Sequence, residues 1–198
     1  SSGRNILTVN FEIFVHYYVK ELNSEVLSSF STTLDSKFIA NYSKLTSHES
    51  HKVLTGADIL SDLCSNRILD DSFRIAIIGG ALSDIDKLNS GNICSRHEVR
   101  IYPVAVNASG EVDDECKIND IAHFEPHFVF VCLGSPKQEL FILKYSKVWD
   151  HCNLYFNIGA GGAFDYLIEK RVRPPTIISS MGLEWMWRLF TRPDTFMR

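Results

Sequence analysis

Phe128-Val129-Phe130-Val131-Cys132-Leu133 runs directly into Gly134-Ser135-Pro136-Lys137-Gln138-Glu139, and Leu154-Tyr155-Phe156-Asn157-Ile158 runs into Gly159-Ala160-Gly161-Gly162-Ala163-Phe164-Asp165. An apolar, β-branched and aromatic run bounded by glycine reads as a strand buried on both faces, and an amphipathic stretch follows each one. The unit is strand, loop, helix, twice over. Residues 73–78, closed by Gly79-Gly80, and residues 99–106 carry the same alternation upstream. The order from Arg74 onward is βαβαβαβα, which predicts an α/β fold: a mostly parallel sheet with right-handed crossovers and helices on both faces. Ligands bind such sheets outside the carboxyl ends of the strands, where loop amides and helix N-termini converge on negative charge. The glycine-ended runs therefore predict a nucleotide or phosphate site.

Toward the N-terminus the pattern is weaker. Residues 5–8 read as a short strand ending at Thr8-Val9-Asn10, and residues 11–27 as an amphipathic helix with Phe11, Phe14, Val15, Tyr18, Val19 and Leu22 at helical spacing. Residues 28–33 are a polar, β-branched strand leading to Leu34-Asp35-Ser36, with a helix over 37–45 after it. Thr55-Gly56-Ala57-Asp58 reads as a turn into a helix over 59–65, capped by Asp58. Helices are also expected over 82–88 and 118–124. The polar stretch 107–114 reads as the most mobile internal loop.

At 198 residues the chain suits one α/β domain with a small appendage. A formal net charge of −4 gives no polyanion footprint, so nucleic acid is not an expected partner. The five cysteines are scattered and lack a C-x-x-C pair, which predicts a reducing, cytoplasmic setting rather than a disulfide frame or a zinc site. No apolar run reaches the roughly 20 residues that span a bilayer. The C-terminal stretch differs in character: five arginines fall among the final 28 residues, interleaved with Met181, Leu183, Trp185, Met186, Trp187, Leu189 and Phe190. A basic, aromatic, amphipathic end suits an interfacial helix beside anionic lipid, or a subunit contact in a homo-oligomer. The chain divides on this basis into a core over 4–176 and a C-terminal helical segment over 177–198.

Several residues offer chemistry. Gly134 allows close backbone approach, Pro136 suits a first helical turn, and Lys137 and Gln138 supply donors for phosphate or sugar hydroxyls. Gly159-Ala160-Gly161-Gly162 departs from the dinucleotide fingerprint because Phe164 stands where its third glycine belongs, which counts against a dehydrogenase. Asp165 reads equally as a ligand to a base or ribose and as a helix N-cap. By position alone Asp35 reads as a capping aspartate; near the same ligand it would be a general base. Asp84-Ile85-Asp86 has the spacing of a divalent-metal site but falls in a predicted surface helix without a completing acid or histidine, so no metal site is expected. Neither a G-x-S-x-G elbow nor a P-loop occurs.

Taken in order, Leu133-Gly134-Ser135-Pro136-Lys137-Gln138-Glu139, Ile158-Gly159-Ala160-Gly161-Gly162-Ala163-Phe164-Asp165-Tyr166, Arg173-Pro174-Pro175, Gly182-Leu183-Glu184-Trp185-Met186-Trp187-Arg188-Leu189 and Arg192-Pro193 closely resemble the landmarks of the WecG/TagA/CpsF glycosyltransferase family. The resemblance is strong over 73–193 and weaker before it, where Thr8-Val9-Asn10 is similar to the family's T-P-N and Leu34-Asp35-Ser36 to its D-G. It implies a Rossmann-like enzyme that transfers a sugar from a UDP-sugar to a sugar carried on a polyprenyl diphosphate. It further implies inversion at the anomeric carbon, no metal or other cofactor, and work at the inner face of a bacterial membrane in surface polysaccharide or teichoic acid linkage-unit synthesis.

By that resemblance Asp35 is the catalytic base. Thr8, Asn10 and Gln138 position donor or acceptor, and Gly134, Lys137 and Glu139 complete that loop's part of the site. UDP lies against Gly159, Gly161, Gly162 and Asp165, and Arg173, Arg188 and Arg192 counter the diphosphate charge. The chain departs from the pattern at Val9, at Ser36, at Val53 (an arginine in relatives, here with Lys52 beside it) and at Glu169-Lys170. The alternative carried by these departures is a non-catalytic module that binds a nucleotide-sugar.

Overall fold

The computed structural model describes residues 5–15, 17, 24–65, 71–91, 93–150, 153–170, 174–181 and 183–191. Six strands, β1 (Asn5–Val9), β2 (Ser31–Leu34), β3 (Arg74–Ile78), β4 (Glu98–Tyr102), β5 (Phe128–Val131) and β6 (Phe156–Gly159), form one all-parallel sheet in the order β2-β1-β6-β5-β3-β4. The helices are α1 (Phe11–Phe14), α2 (Ser24–Ser28), α3 (Lys37–Thr46), α4 (Gly56–Cys64), α5 (Asp84–Ser90), α6 (Cys116–His123), α7 (Lys137–Trp149), α8 (Ala163–Leu167), α9 (Thr176–Ser180) and α10 (Glu184–Thr191). The expected α/β architecture is the observed one.

The central strands read as continuous apolar runs because both faces are covered. Ala76, Ile78, Val129 and Val131 point into a first layer with Ile13, Val26, Ile121, Phe141 and Trp149 from α1, α2, α6 and α7. Ile75, Ile77, Phe128 and Phe130 point into a second with Leu60, Leu63, Leu88 and Phe164 from α4, α5 and α8. Crossovers stepping toward β2 (β1 to β2, β4 to β5, β5 to β6) run over the first layer. Those stepping toward β4 (β2 to β3, β3 to β4) run over the second. A single handedness of βαβ connection requires this segregation. Its consequence is that loops leaving neighbouring strands depart to alternate faces: β1 and β5 toward the first layer, β6 and β3 toward the second.

A buried polar pin sets β1 between β2 and β6. Trp149 Nε1 donates to Asn157 Oδ1 at 2.8 Å, and Asn157 Nδ2 donates to Asn5 Oδ1 at 2.9 Å. Trp149 is fully buried and Asn157 is 1% exposed, so each polar atom in this chain depends on its neighbour.

Four expectations are corrected. α4 begins at Gly56 because Thr55, not Asp58, is its cap: Thr55 Oγ1 accepts the Asp58 N–H at 2.9 Å, which leaves Asp58 as the acid in the first turn. The stretch 107–114 is tied down. Asn107 Oδ1 accepts the N–H groups of Ser109 and Glu111 at 3.0 and 2.9 Å, Val106 and Val112 bridge, and Gly110 packs on the backbone of α7. Cys64 and Cys94 form a disulfide, because the fold brings the end of α4 beside the turn preceding β4; scattered spacing does not reveal such proximity. Asp84 is not on a surface helix face: it is 1% exposed, accepts the Ala81 N–H at 2.9 Å and pairs with Lys170 Nζ at 2.6 Å.

Of the residues expected in one amphipathic helix over 11–27, α1 and α2 are helical, and 16 and 18–23 lie outside the described residues. The C-terminal stretch contains two short helices, α9 and α10, joined by a hydrogen bond from Ser179 Oγ to Glu184 Oε1 at 2.7 Å. Ile177 on α9, Met181 at its C-cap and Phe190 on α10 are 71%, 61% and 77% exposed. Among the described residues no helix is long and apolar enough to cross a membrane.

Candidate active site

The carboxyl ends of β2, β1, β6 and β5 lie side by side and gather most of the residues singled out from sequence. Thr8, near the end of β1 and 2% exposed, donates its hydroxyl to the Gly159 carbonyl at 2.8 Å, tying β1 to the end of β6. Two residues on, Asn10 Oδ1 accepts the Ile13 N–H at 2.9 Å and so caps α1. Val9 and Leu34 are register partners, and the Asp35 N–H donates to the Val9 carbonyl at 2.8 Å, which sets Asp35 just past the ladder at the mouth of the sheet.

Asp35 does not cap the helix that follows it. Ser36 does: its hydroxyl accepts the Ile39 N–H at 3.4 Å and its backbone is extended, as an N-cap requires. The capping expectation for Asp35 is overturned, because Ser36 takes the function one residue later. Val53, which stands where relatives have an arginine, bridges to Leu34 beside Asp35, and the Leu54 N–H donates to the Leu34 carbonyl at 2.8 Å. Lys52 is exposed at the same edge. Gly56 at the start of α4 approaches β6 so closely that a Cβ there would lie 3.1 Å from Ala160. A helix N-terminus, with its unpaired N–H groups, is thereby brought onto the strand ends.

The loop leaving β5 turns at Gly134, whose φ of +78° suits glycine, passes a cis Ser135–Pro136 bond and enters α7 at Lys137. Gln138 and Glu139 turn inward, at 2% and 0% exposure. Gln138 Nε2 donates to Glu139 Oε1 at 2.9 Å, and Gln138 Oε1 accepts the Gly161 N–H at 2.9 Å, so the β5 and β6 loops are joined through one carboxamide. Tyr17 faces the same cluster. Burial foremost, and then the Glu139 charge, push its phenol well above the ordinary tyrosine range against the opposing effect of the nearby Ser135 hydroxyl. Lys137 is exposed and donates Nζ to the Val106 carbonyl at 2.9 Å, which points it toward the 106–112 bridge rather than toward Asp35.

Asp165 lies in the first turn of α8, whose cap position is Gly162, so its capping reading is also overturned. Asp84 is engaged by Ala81 and Lys170, and among the described residues no group of three or more His, Cys, Asp or Glu is placed to hold a metal ion. Arg173 and Arg192, and the side chain of Arg188, lie outside the described residues. A groove of about 440 Å³ runs along the edge strand β4, lined by Leu82, Ile85, Arg100, Tyr102 and His123 among others. It is walled by strand and helix sides, and no sequence-predicted site residue lines it, so the strand-end cluster is the better candidate.

Sequence reasoning missed the Asn5–Asn157–Trp149 pin, the inward turn of Glu139 and the Asp84–Lys170 pair. A polar Asn157 inside an apolar run was the one visible signal, since a buried amide needs a partner.

A parallel sheet whose strand ends collect a carboxylate, hydroxyl and amide groups and two glycine-rich loops defines an α/β protein with its candidate ligand site at the carboxyl ends of the strands. The chain belongs to the WecG/TagA/CpsF glycosyl transferase family, whose model it matches over residues 1–198, and it is a glycosyltransferase. It is 30% identical over 201 residues to the N-acetylglucosaminyldiphosphoundecaprenol N-acetyl-beta-D-mannosaminyltransferase of Bacillus subtilis (strain 168), covering 99% of this chain and 75% of that protein. It is 28% identical over 200 residues to the protein of the same description from Bacillus spizizenii, covering 100% of this chain and 75% of that one.

Proposed function

We propose that this glycosyltransferase moves a sugar from a UDP-sugar onto a sugar carried on a polyprenyl diphosphate, with inversion and without a metal ion, in bacterial surface-polymer synthesis. The observation that carries the reading is the convergence of Asp35, Thr8 and Asn10 with the Gly159–Gly162 loop at one edge of the sheet. The names of both relatives favour an N-acetylhexosamine as the transferred sugar and a lipid diphosphate as the acceptor's carrier.

In this scheme the Asp35 carboxylate takes the proton of the acceptor hydroxyl as that oxygen attacks the anomeric carbon. The bond from that carbon to the diphosphate oxygen breaks on the opposite face, and UDP leaves with the electron pair. The Gly159–Gly162 loop lets the backbone approach the leaving diphosphate, its Ala160 and Gly161 N–H groups being given to Val131 and Gln138. The N-terminus of α4 stabilises that diphosphate, with Lys52 at the same edge as a candidate cation. Arg173, Arg188 and Arg192 oppose the acceptor's own diphosphate. Segment 177–198 rests on the inner face of the membrane, where the exposed Ile177, Met181 and Phe190 would meet lipid.

The test is transfer of radiolabelled sugar from candidate UDP-sugars to a synthetic polyprenyl-diphosphate-linked N-acetylglucosamine in EDTA. Product formation unaffected by chelator is expected. Activity that needs added manganese would overturn the metal-free scheme, and UDP binding without turnover of any donor would favour a binding module.

A further inference from the structure

We infer that Glu139 is a positioning residue for the donor site: its buried carboxylate fixes which way round the Gln138 carboxamide sits, and the carboxamide presets the Gly159–Gly162 loop. The inference rests on the proposed donor site at that loop. Glu139 has no exposed surface, so it touches no substrate. Its Oε1 accepts from Gln138 Nε2, and the Gly161 N–H only donates.

Gln138 lies between them with one partner on each side, 2.9 Å from both. Only one sense of the amide satisfies both. The flipped sense would set oxygen against oxygen at Glu139 and N–H against N–H at Gly161. The side chain is also held laterally, since Nε2 would lie 3.2 Å from a Cβ added at Gly159. Gly161 itself has a φ of +52°, a left-handed conformation that an anchored N–H helps to hold. The acceptor that Glu139 presents is therefore transmitted, through one side chain, to the loop proposed to receive the diphosphate. Glutamine at 139 would lack this property, because its amide presents either a donor or an acceptor and so accepts both senses of Gln138.

The test compares wild type, Glu139→Gln and the swap Gln138→Glu/Glu139→Gln. Calorimetry gives the UDP Kd, transfer kinetics give kcat and donor KM separately, and hydrogen exchange reports the Gly161 amide. In E139Q the UDP Kd and donor KM should rise about tenfold, the equivalent of one hydrogen bond's worth of preorganisation, with kcat changed less than about threefold and Gly161 exchanging faster while mid-α7 amides do not. The swap rebuilds both hydrogen bonds with a carboxylate at 138 accepting from Gly161 and from Gln at 139. It should fold even where E139Q does not, and return the Gly161 amide to wild-type exchange. Unchanged Kd, KM and Gly161 exchange in folded E139Q overturns the inference, as does a folded swap whose Gly161 amide exchanges no more slowly than in E139Q. Failure of wild type to bind UDP or any UDP-sugar removes the donor-site reading instead, which keeps the two failures distinct.

Discussion

Trp149→Phe tests whether the buried pin holds the N-terminal strand where the site needs it. The substitution keeps an aromatic ring in the fully buried position but removes the Nε1–H that donates to Asn157 Oδ1 at 2.8 Å. Leaving that acceptor buried and unpaired costs about 1–3 kcal/mol, and the smaller ring adds a cavity of about 1 kcal/mol. The sum, about 2–4 kcal/mol, is a large part of the roughly 5–15 kcal/mol that stabilises a domain. Urea unfolding should show a lower midpoint with an unchanged slope, and amides of β1 should exchange faster relative to those of β3. Asn157→Leu/Trp149→Phe should lose less than the two single changes added together, because the double variant removes donor and acceptor as a pair. A loss under about 1 kcal/mol in W149F, or strict additivity in the double variant, would refute the claim that this hydrogen bond orients Asn157 for its bond to Asn5, which fastens β1 to β6.

Asp35→Asn should lower kcat by about 10²- to 10⁴-fold while the UDP Kd stays near wild type, measured by single-turnover transfer and calorimetry. Asp84, despite the opposing effect of burial, is held below the ordinary aspartate value of 3.8 by its hydrogen bonds from Lys170 and Ala81 and by the Lys170 and Lys87 charges. Its folded value is the lower one, so its contribution is fully present above 3.8 and lost as pH falls through the depressed value; urea midpoints measured from pH 5 to pH 2 should fall less steeply in D84N. Gly134→Ala meets nothing within 4 Å and should cost only the left-handed strain of about 1 kcal/mol, whereas Gly110→Ala drives its Cβ to 2.6 Å from Leu140 and should cost several times more by thermal denaturation.

How far the sequence could be read follows from where each residue's partners lie. β3 and β5 are legible because burial on both faces writes an unbroken apolar run, and that is a local property. The place of β1 in the middle of the sheet is not, since its register partners in β6 are about 150 residues away and the pin that joins them uses three side chains from three elements. At Leu34-Asp35-Ser36 two adjacent residues are both good caps, so only geometry could assign the cap to Ser36 and release Asp35 for the site. Asp84 looked like a surface acid because its partner Lys170 lies 86 residues along the chain. Gln138 and Glu139 were marked by motif, but whether a first-turn side chain faces ligand or core depends on the neighbouring loop, here Gly161.

The alternation of crossovers explains why this edge of the sheet suits a two-substrate reaction. Adjacent strands send their loops to opposite faces, so a cleft opens at their ends with one wall from β1 and β5 and the other from β6. Asp35 enters from β2, Thr8 and Asn10 from β1, the glycine-rich loop from β6, and Gln138 from β5. The proposed base and the proposed leaving-group loop thus come from opposite halves of the chain. Their separation is set by the β2–β1–β6 ladder, with Thr8 Oγ1 on Gly159 and the Asn5–Asn157–Trp149 pin fixing its middle strand. An in-line displacement needs base, hydroxyl, anomeric carbon and leaving oxygen held in order, and effective molarity falls quickly with misplacement. Loosening β1 should therefore reduce transfer more than it reduces UDP binding, because the proposed scheme sets UDP on the β6 side and aligns the acceptor from the β1 and β2 side. The ratio of transfer rate to UDP affinity in W149F measures that difference, and a proportional loss of both would place the two substrates on the same wall.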